Sequence, residues 1–108
     1  MPLYMSQFAY TKEAWAALAQ NPEDRSIAIG ELLESMGGRL VSLYFTFGEY
    51  DGFVVFEALD NNRAATFILA AISPGHIKEI KTTPAFAPEE AMEFMRDAGS
   101  ATFRGPGG

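Results

Sequence analysis

Two neighbouring apolar segments constrain the fold of this 108-residue chain more than any other feature of its sequence. They run from Arg39 to Phe47 and from Gly52 to Ala58, and both are rich in β-branched and aromatic residues. The turn between them, Gly48 to Gly52, ends in an Asp-Gly pair, which is typical of tight turns. The pattern therefore predicts a β-hairpin.

This hairpin carries large apolar side chains on both faces. In the first strand, strict alternation places Val41, Leu43, Phe45 and Phe47 on one face and Leu40 and Tyr44 on the other. In the second strand it places Phe53 and Val55 on one face and Val54 and Phe56 on the other. A sheet with one face in water alternates apolar with polar residues instead. Leaving four or five such side chains exposed would forgo roughly 1.5 to 3 kcal/mol each. We therefore expect a second copy of the chain to cover the open face through a two-fold contact. The alternative is that the last helix folds over it.

The remaining elements flank the hairpin in a recognisable order. The sequence predicts a strand at Leu3–Tyr10, a bent helical crossover made of Lys12–Gln20 and a segment from Asn21 to Gly37-Gly38, a helix from Asp60 to Ile72, a strand at His76–Thr83 and a last helix opened by Ala87–Glu90. This order predicts an α+β, ferredoxin-like β-α-β-β-α-β fold with a four-stranded antiparallel sheet. The second helical segment is predicted to bury its apolar face, whose residues are spaced i, i+3, i+4 and i+7: Ile29, Leu32, Leu33 and Met36. We expect one domain over residues 1–103 and a disordered tail at 104–108.

Charge and composition exclude several classes of function. The formal net charge is −6 and the 8 basic residues are scattered, which argues against a nucleic-acid or anionic-membrane partner. The chain has no cysteine and one histidine, so we expect no metal site. No run of residues has the roughly 18 apolar positions of a membrane span. The N-terminal residues lack the pattern of a signal peptide, and we expect a cytoplasmic protein.

The hairpin region also resembles a known family. The residues from Tyr44 to Asp51, followed by Glu57-Ala58-Leu59-Asp60, are similar to the GYD domain family, and four further pieces agree in order: Tyr10-Thr11, Pro22 with Arg25, Gly37-Gly38, and Thr83-Pro84-Ala85-Phe86. The resemblance spans about residues 3 to 95. It implies a dimeric α+β barrel, in which two four-stranded sheets face each other. Trp15 departs from the family pattern, which has a small residue in the first helix.

Six polar or aromatic residues are candidates for a ligand-binding site: Tyr50, Asp51, His76, Tyr44, Tyr10 and Arg25. Tyr50 and Asp51 lie at the hairpin tip, where they either form the turn or contact a ligand through a hydroxyl beside a carboxylate. His76 is either a surface residue or a group that titrates near neutral pH. Tyr10 and Tyr44 are either core residues or line a cleft between sheet and helices.

Two charged residues have local explanations as well. Arg25 either pairs with Glu23 and Asp24 or, as the resemblance suggests, faces a ligand carboxylate, which a guanidinium binds with two parallel hydrogen bonds. Glu57 lies among apolar residues of a strand, where it either pairs with Arg39 or Lys78 or has a raised pKa. Pro2 is an N-terminal amine base only if Met1 is removed.

Two functions follow from these residues. The first is a homodimeric small-molecule-binding protein without a cofactor, which would include a cofactor-free enzyme, and it predicts a cavity lined by Tyr50, Asp51, Tyr44 or His76. The second is a non-catalytic homo-oligomeric or regulatory module, in which the same residues only cap turns. No triad, phosphate-binding loop or dinucleotide fingerprint is present to decide between them.

Overall fold

The computed structural model describes residues 1–107 and confirms the α+β prediction. Its elements are β1 (Leu3–Tyr10), α1 (Lys12–Gln20), α2 (Arg25–Ser35), β2 (Arg39–Phe45), β3 (Gly52–Glu57), α3 (Asn61–Ile72), β4 (Ile77–Ala85) and α4 (Pro88–Ser100). The strands form one antiparallel sheet in the order β2-β3-β1-β4, so the two central strands, β3 and β1, are not consecutive in the chain. None of the described helices is long and apolar enough to cross a membrane.

One face of the sheet is buried beneath α2 and α3. In β1 the side chains of Tyr4, Ser6 and Phe8 are buried, and in β3 they face Phe56, Val54 and Gly52 across the ladder. Leu33 of α2 and Phe67 of α3 complete this core, and Ile29, Leu32 and Met36 pack against it from the predicted face of α2. The helical spacing of the apolar residues therefore predicted the buried face of α2 correctly.

The helix starts differ in one place from the prediction. Asp60 caps α3 as expected, by accepting a hydrogen bond from the Arg63 N–H at 2.8 Å. However, α2 begins at Arg25 and not at Asn21, because Asp24 is its cap and accepts from the Ser26 N–H at 3.0 Å. The Asn21 N–H instead donates to the Ala17 carbonyl and ends α1. Hydrogen bonds from the side chain and backbone of Ser26 lower the pKa of Asp24.

A β-bulge corrects the predicted faces of β2. The ladder between β2 and β3 shifts register between Leu40 and Ser42, so Val41 is the extra residue. Beyond the bulge, Leu43 faces Val54 and Phe45 faces Gly52 on the helix-covered side, where Leu40 faces Phe56 before the bulge. Strict alternation had separated Leu40 from Leu43 and Phe45, and it was wrong because one inserted residue reverses every later side chain.

The other face of the sheet, here called the open face, has no helix over it. It presents Tyr44 opposite Phe53, Ser42 opposite Val55, and Arg39 opposite Glu57. β1 adds Leu3, Met5 and Gln7, which face the same residues of β3. The Arg39 guanidinium forms an ion pair with the Glu57 carboxylate, so the predicted pairing of Glu57 is confirmed. The open face is thus mixed, with an apolar part centred on β1 and β3.

The last helix does not cover this open face. α4 has no buried residue, and its apolar side holds Met92, Phe94 and Met95, which are all at least 48% exposed. Phe94 meets Phe86 edge-on at 5.2 Å, in the segment immediately before the helix. The chain is consequently elongated, with a longest extent of 62 Å and a radius of gyration of 17.6 Å. A compact domain of this length would have a radius of gyration of about 13 Å.

The loop between β2 and β3 is longer than the predicted tight turn. β2 ends at Phe45, Phe47 is fully exposed, and the loop runs from residue 46 to residue 51. Gly52 does not have the positive φ of a tight Asp-Gly turn. It is glycine for another reason, since a Cβ there would lie 2.6 Å from the Phe8 ring and 2.7 Å from the Tyr44 carbonyl oxygen.

The C-terminal end lies beyond the last helix. Residues 101–107 form no helix or strand, and Gly108 lies outside the described residues. The predicted disorder of the tail at 104–108, and the domain limit at residue 103, stay predictions.

We predict that Gly52→Ala destabilises the protein by about 1 to 3 kcal/mol, because the new methyl group overpacks a buried strand end. Urea unfolding at a fixed protein concentration would measure the loss. Gly48→Ala is the matched control, because a Cβ at Gly48 meets no atom within 4 Å. Equal stability of the two variants would contradict the close packing of Gly52.

Candidate functional site

A cleft of about 240 Å³ opens between the helix-covered face of the sheet and the helices α2 and α3. Eleven of its fourteen lining residues are apolar, and three are polar or charged: Tyr10, Arg25 and His76. The apolar part of the wall comes from every layer of the fold: Phe8, Ala28, Ile29, Leu32, Val54, Phe67, Ala70, Ala71, Pro74, Ile77 and Ile80. The cleft is therefore a largely apolar space with its polar groups concentrated in three residues.

The fold brings these three residues together from distant parts of the chain. Tyr10 is the last residue of β1, where the strand pairs with Ile77 at the start of β4. The His76 carbonyl, one residue earlier, accepts a hydrogen bond of 2.9 Å from the Thr11 N–H. Arg25 is the first residue of α2, and the Asp24 cap fixes where that helix begins. A strand end, a helix start and a strand start thus meet at one end of the cleft.

Tyr10 is largely shielded from water, and this shielding sets its chemistry. The residue is 8% exposed, and its ring packs edge-on against Trp15 at 5.3 Å. Burial raises the pKa of Tyr10, and the negative charges of Glu23 and Asp51 raise it further, while attraction to Arg25 and a hydrogen bond with it act in the opposite direction. The phenol therefore stays protonated at neutral pH and is available as a hydrogen-bond donor.

Arg25 lies between two adjacent spaces. Its Nη1 donates to the Glu23 carboxylate at 3.0 Å, and its side chain is 34% exposed. Glu23 lines a second hollow of about 360 Å³ beside α1, which also contains Tyr10, Arg25 and His76 but not the apolar residues of the cleft. Arg25 therefore borders both the apolar cleft and the hollow that contains its acidic partner, Glu23.

Asp51 holds the hairpin loop against the rest of the domain. Its Oδ2 accepts hydrogen bonds from the Tyr10 N–H at 2.9 Å and from the Trp15 indole N–H at 3.0 Å. Its backbone N–H donates to the Phe8 carbonyl, and its own carbonyl accepts from Thr46. A single side chain therefore joins the loop to the end of β1 and to α1. Asp51 does not line the cleft, but it fixes the backbone of Tyr10, which does.

The two remaining candidate residues lie away from the cleft. Tyr44 is 61% exposed, and its ring lies tilted against that of Phe53 at 5.6 Å on the open face of the sheet. Tyr50 is at the loop tip, where partial desolvation and the nearby charges of Glu79 and Glu49 raise its pKa. The sequence predicted a cavity lined by Tyr50, Asp51, Tyr44 or His76, and of these four residues His76 alone lines this cleft. Tyr10 and Arg25 join it there.

The sequence analysis missed the small residues that create the space. Ala70 and Ala71 lie in the last turns of α3, followed by Pro74, and all three line the cleft. Small side chains at consecutive positions near a helix end leave the end of a layer unfilled. Their only signal in the sequence is that two consecutive alanines follow the large residues Phe67, Ile68 and Leu69 of α3. No group of three or more potential metal ligands occurs within residues 1–107.

Comparison with known families identifies the chain. The model of the GYD domain family matches residues 4–95, which include the hairpin loop and all of the sheet except its first residue, Leu3. This chain belongs to the GYD domain family. The resemblance in the hairpin region is thereby confirmed. No curated protein matches the sequence.

Solved structures share the fold of this GYD domain protein at low sequence identity. TTHA0845 from Thermus thermophilus superposes with a TM-score of 0.52 at 16% identity, covering 81% of this chain and 95% of that one. FFRP-DM1 superposes with a TM-score of 0.52 at 21% identity, and the match covers 80% of this chain and 100% of that one. MtbAldR has a TM-score of 0.53 at 13% identity, covering 80% of this chain and 52% of its own. Identities this low show a common fold alone.

We predict that Asp51→Ala lowers the free energy of unfolding by about 2 kcal/mol, because it removes a carboxylate that accepts two N–H groups. The indole of Trp15 also loses its partner, so tryptophan emission should shift in the folded protein. Urea unfolding followed by fluorescence measures both effects. Glu49→Ala, in the same loop, is the control and should change neither quantity. A stable Asp51→Ala protein with unchanged emission would show that Asp51 does not anchor the loop.

Proposed function

We propose that this GYD domain protein is a homodimer that binds a small molecule in the cleft between the sheet and helices α2 and α3. The observation that carries the proposal is the cleft itself, a mostly apolar space with Tyr10, Arg25 and His76 gathered at one end. Apolar walls with a few convergent polar groups are typical of small-molecule sites. The volume of about 240 Å³ lies just below the range of drug-sized ligands, which favours a compact ligand.

A cofactor-free reaction at this site would use the groups that can transfer protons. The raised pKa of Tyr10 leaves its phenol protonated at neutral pH, and the His76 imidazole has two ring nitrogens that can donate or accept hydrogen bonds. Both belong to the cleft wall, so a bound molecule would contact them directly. Binding is the proposed function, and any catalysis would depend on it. A cytoplasmic location stays a prediction.

We test binding with two probes of the same shape, 2-naphthoate and its neutral amide, 2-naphthamide, titrated against the isotope-labelled protein by NMR. At least one should bind saturably, with a dissociation constant on the order of 0.1 mM for a ligand of this size. Its largest shifts should fall on Ile29, Leu32 and Ile77.

The matched variants for this titration both lie on α3. Ala71→Phe fills the cleft and should abolish binding, whereas Ala65→Phe, on the exposed side of the helix, should not. Thermal unfolding of both variants shows whether each is folded. If neither probe binds the wild-type protein, or if Ala71→Phe binds as well as Ala65→Phe does, the cleft is not a ligand site.

The homodimer proposal is supported by apolar surface that this chain leaves uncovered. Tyr44 on the open face, Phe86, and Met92, Phe94 and Met95 of α4 are each roughly half exposed or more. At about 100 Å² for half of a large side chain, these five expose on the order of 500 Å². Leu3, Met5, Phe53 and Val55 are half-buried on the same open face and add to this area.

The total over the open face and α4 approaches the roughly 800 Å² that each partner buries in a standard interface. α4 does not cover the open face within its own subunit. A second copy with the same unfilled surfaces can cover both, because a two-fold contact places the same patch on each partner.

We predict that sedimentation equilibrium at micromolar concentration gives about twice the 11.8 kDa mass of one chain. Val55→Lys, on the open face, and Met95→Glu, on α4, should each shift the protein toward monomer, because each buries a charge in the interface. Leu69→Glu is the control, since Leu69 is 64% exposed on α3, away from both surfaces. A monomeric wild-type protein would refute the dimer. A dimer that Met95→Glu leaves intact would exclude α4 from the interface.

A second candidate function is a non-catalytic oligomeric module. It is favoured by the structural use of the polar residues, because Asp24 and Asp60 cap helices and Asp51 anchors the hairpin loop. This candidate shares the dimer but requires no ligand. Failure of both naphthyl probes to bind a dimeric protein would support it.

A further inference from the structure

We propose that the ligand of the cleft is an organic carboxylate with a compact apolar body, and that Arg25 and Tyr10 hold its carboxylate. This inference rests on the proposed small-molecule site and adds the class of ligand. It places the body of the ligand against Ile29, Leu32 and Ile80, and the carboxylate at the end of the cleft where β1 and α2 meet.

The charge of the cleft wall favours an anionic ligand. Arg25 is the one charged residue of fixed sign among the fourteen that line the cleft, and no acidic residue lines it. This is unexpected in a protein with 14 acidic and 8 basic residues and a net charge of −6. A cation beside an apolar surface favours a ligand that has both an anionic group and an apolar part. When such a ligand binds, its anionic group pairs with the cation and its apolar part buries the apolar surface.

Arg25 has N–H donors beyond those in its ion pair, with which it can bind a carboxylate. The guanidinium has five N–H donors in a planar fork, and its ion pair with Glu23 uses Nη1. Side chains of this pair are 34% and 57% exposed, and ion pairs of that kind contribute little to stability. A ligand carboxylate can therefore bind to the remaining donors, or replace Glu23, at small cost. Two parallel N–H to oxygen bonds are the geometry that a guanidinium prefers with a carboxylate.

The protonated phenol of Tyr10 can donate a hydrogen bond to the same carboxylate. Its hydroxyl lies near the positive charge of Arg25, which lowers the pKa of Tyr10 against the larger effect of burial, and a guanidinium cannot accept the phenol proton. The phenol proton is therefore available for an acceptor in the same place. Because the pKa of Tyr10 is raised, the phenol is protonated at neutral pH, so its hydroxyl can donate to an anion and does not repel it. His76, the third polar residue of the wall, is neutral or cationic and likewise does not oppose a carboxylate.

The test compares the affinities of 2-naphthoate and 2-naphthamide, which share shape and apolar area but differ in charge. Wild-type protein should bind naphthoate about tenfold more tightly, the equivalent of one charge-assisted hydrogen bond. Arg25→Gln should remove this preference and leave the affinity for naphthamide within about twofold. A parallel titration compares the affinities of octanoate and octanamide, and it shows whether the cleft prefers an aromatic or an aliphatic ligand.

Two further variants make the result specific to the site. Glu23→Gln removes the competing carboxylate and should increase the affinity for naphthoate several-fold without changing that for naphthamide. Arg63→Gln removes the same charge from the exposed start of α3, outside the cleft, and should leave the preference unchanged. Thermal unfolding of each variant establishes that it is folded. If Arg25→Gln does not fold, the inference is tested by Glu23→Gln alone, because that variant keeps Arg25 and changes only its competing partner.

The outcomes separate this inference from the function on which it rests. If neither probe binds, the small-molecule site itself is refuted. If both probes bind the cleft equally and Arg25→Gln changes nothing, the site stands and the carboxylate assignment is wrong. If Arg63→Gln reduces the preference as much as Arg25→Gln does, the effect comes from overall charge, and the assignment to Arg25 is overturned.

Discussion

The structure depends on the burial of one face of its sheet. Phe56 in β3 is completely buried, stacked with Tyr4 of β1 at 5.4 Å and tilted against Phe67 of α3 at 4.8 Å. Hydrophobic burial of this kind is the largest favourable contribution to folding. It fixes the two central strands beneath α2 and α3, and it leaves the opposite face with no layer of its own. The cleft and the uncovered open face both follow from this one-sided packing.

The same packing divides the aromatic and polar residues between two environments. Tyr10 and Phe8 turn toward the helices and meet the cleft, whereas Tyr44 and Phe53 turn away and meet the open face. Asp51 links the two parts of the molecule, because it belongs to the hairpin loop but bonds to the Tyr10 backbone and to Trp15. Trp15, which departs from the family pattern as a large residue in α1, has a specific partner here. The hairpin loop that carries Asp51 is thus a structural support of the cleft.

Membership of the GYD domain family and the shared fold do not by themselves define a function. Folds of this breadth carry many activities, so a function has to be argued from a site. In this chain the proposed function rests on the composition of one cleft wall, where Arg25, the buried Tyr10 and His76 interrupt an otherwise apolar lining. The elongated shape, with α4 extended from the body, is the corresponding argument for a second copy.

Part of this could be predicted from sequence because it depends on local patterns. Apolar spacing gave the buried side of α2, Asp60 marked the start of α3, and the order of strands and helices gave the fold class. The bulge at Val41 escaped prediction, because a single extra residue leaves no mark in the composition of β2. The six candidate residues included Tyr10, Arg25 and His76, but nothing local indicated that these three converge while Tyr44 and Asp51 do not.

The sequence by itself determined the α+β class, the hairpin and the excess of apolar surface, because these depend on periodicity and on the total amount of apolar side chain. Only the tertiary structure decided which face each residue of β2 occupies, where α2 begins, and that Arg25 borders an apolar cleft with no acidic residue in it. These features depend on register and on contacts between residues as far apart in the chain as Tyr10 and His76. Such contacts are set by the packing of whole layers against one another.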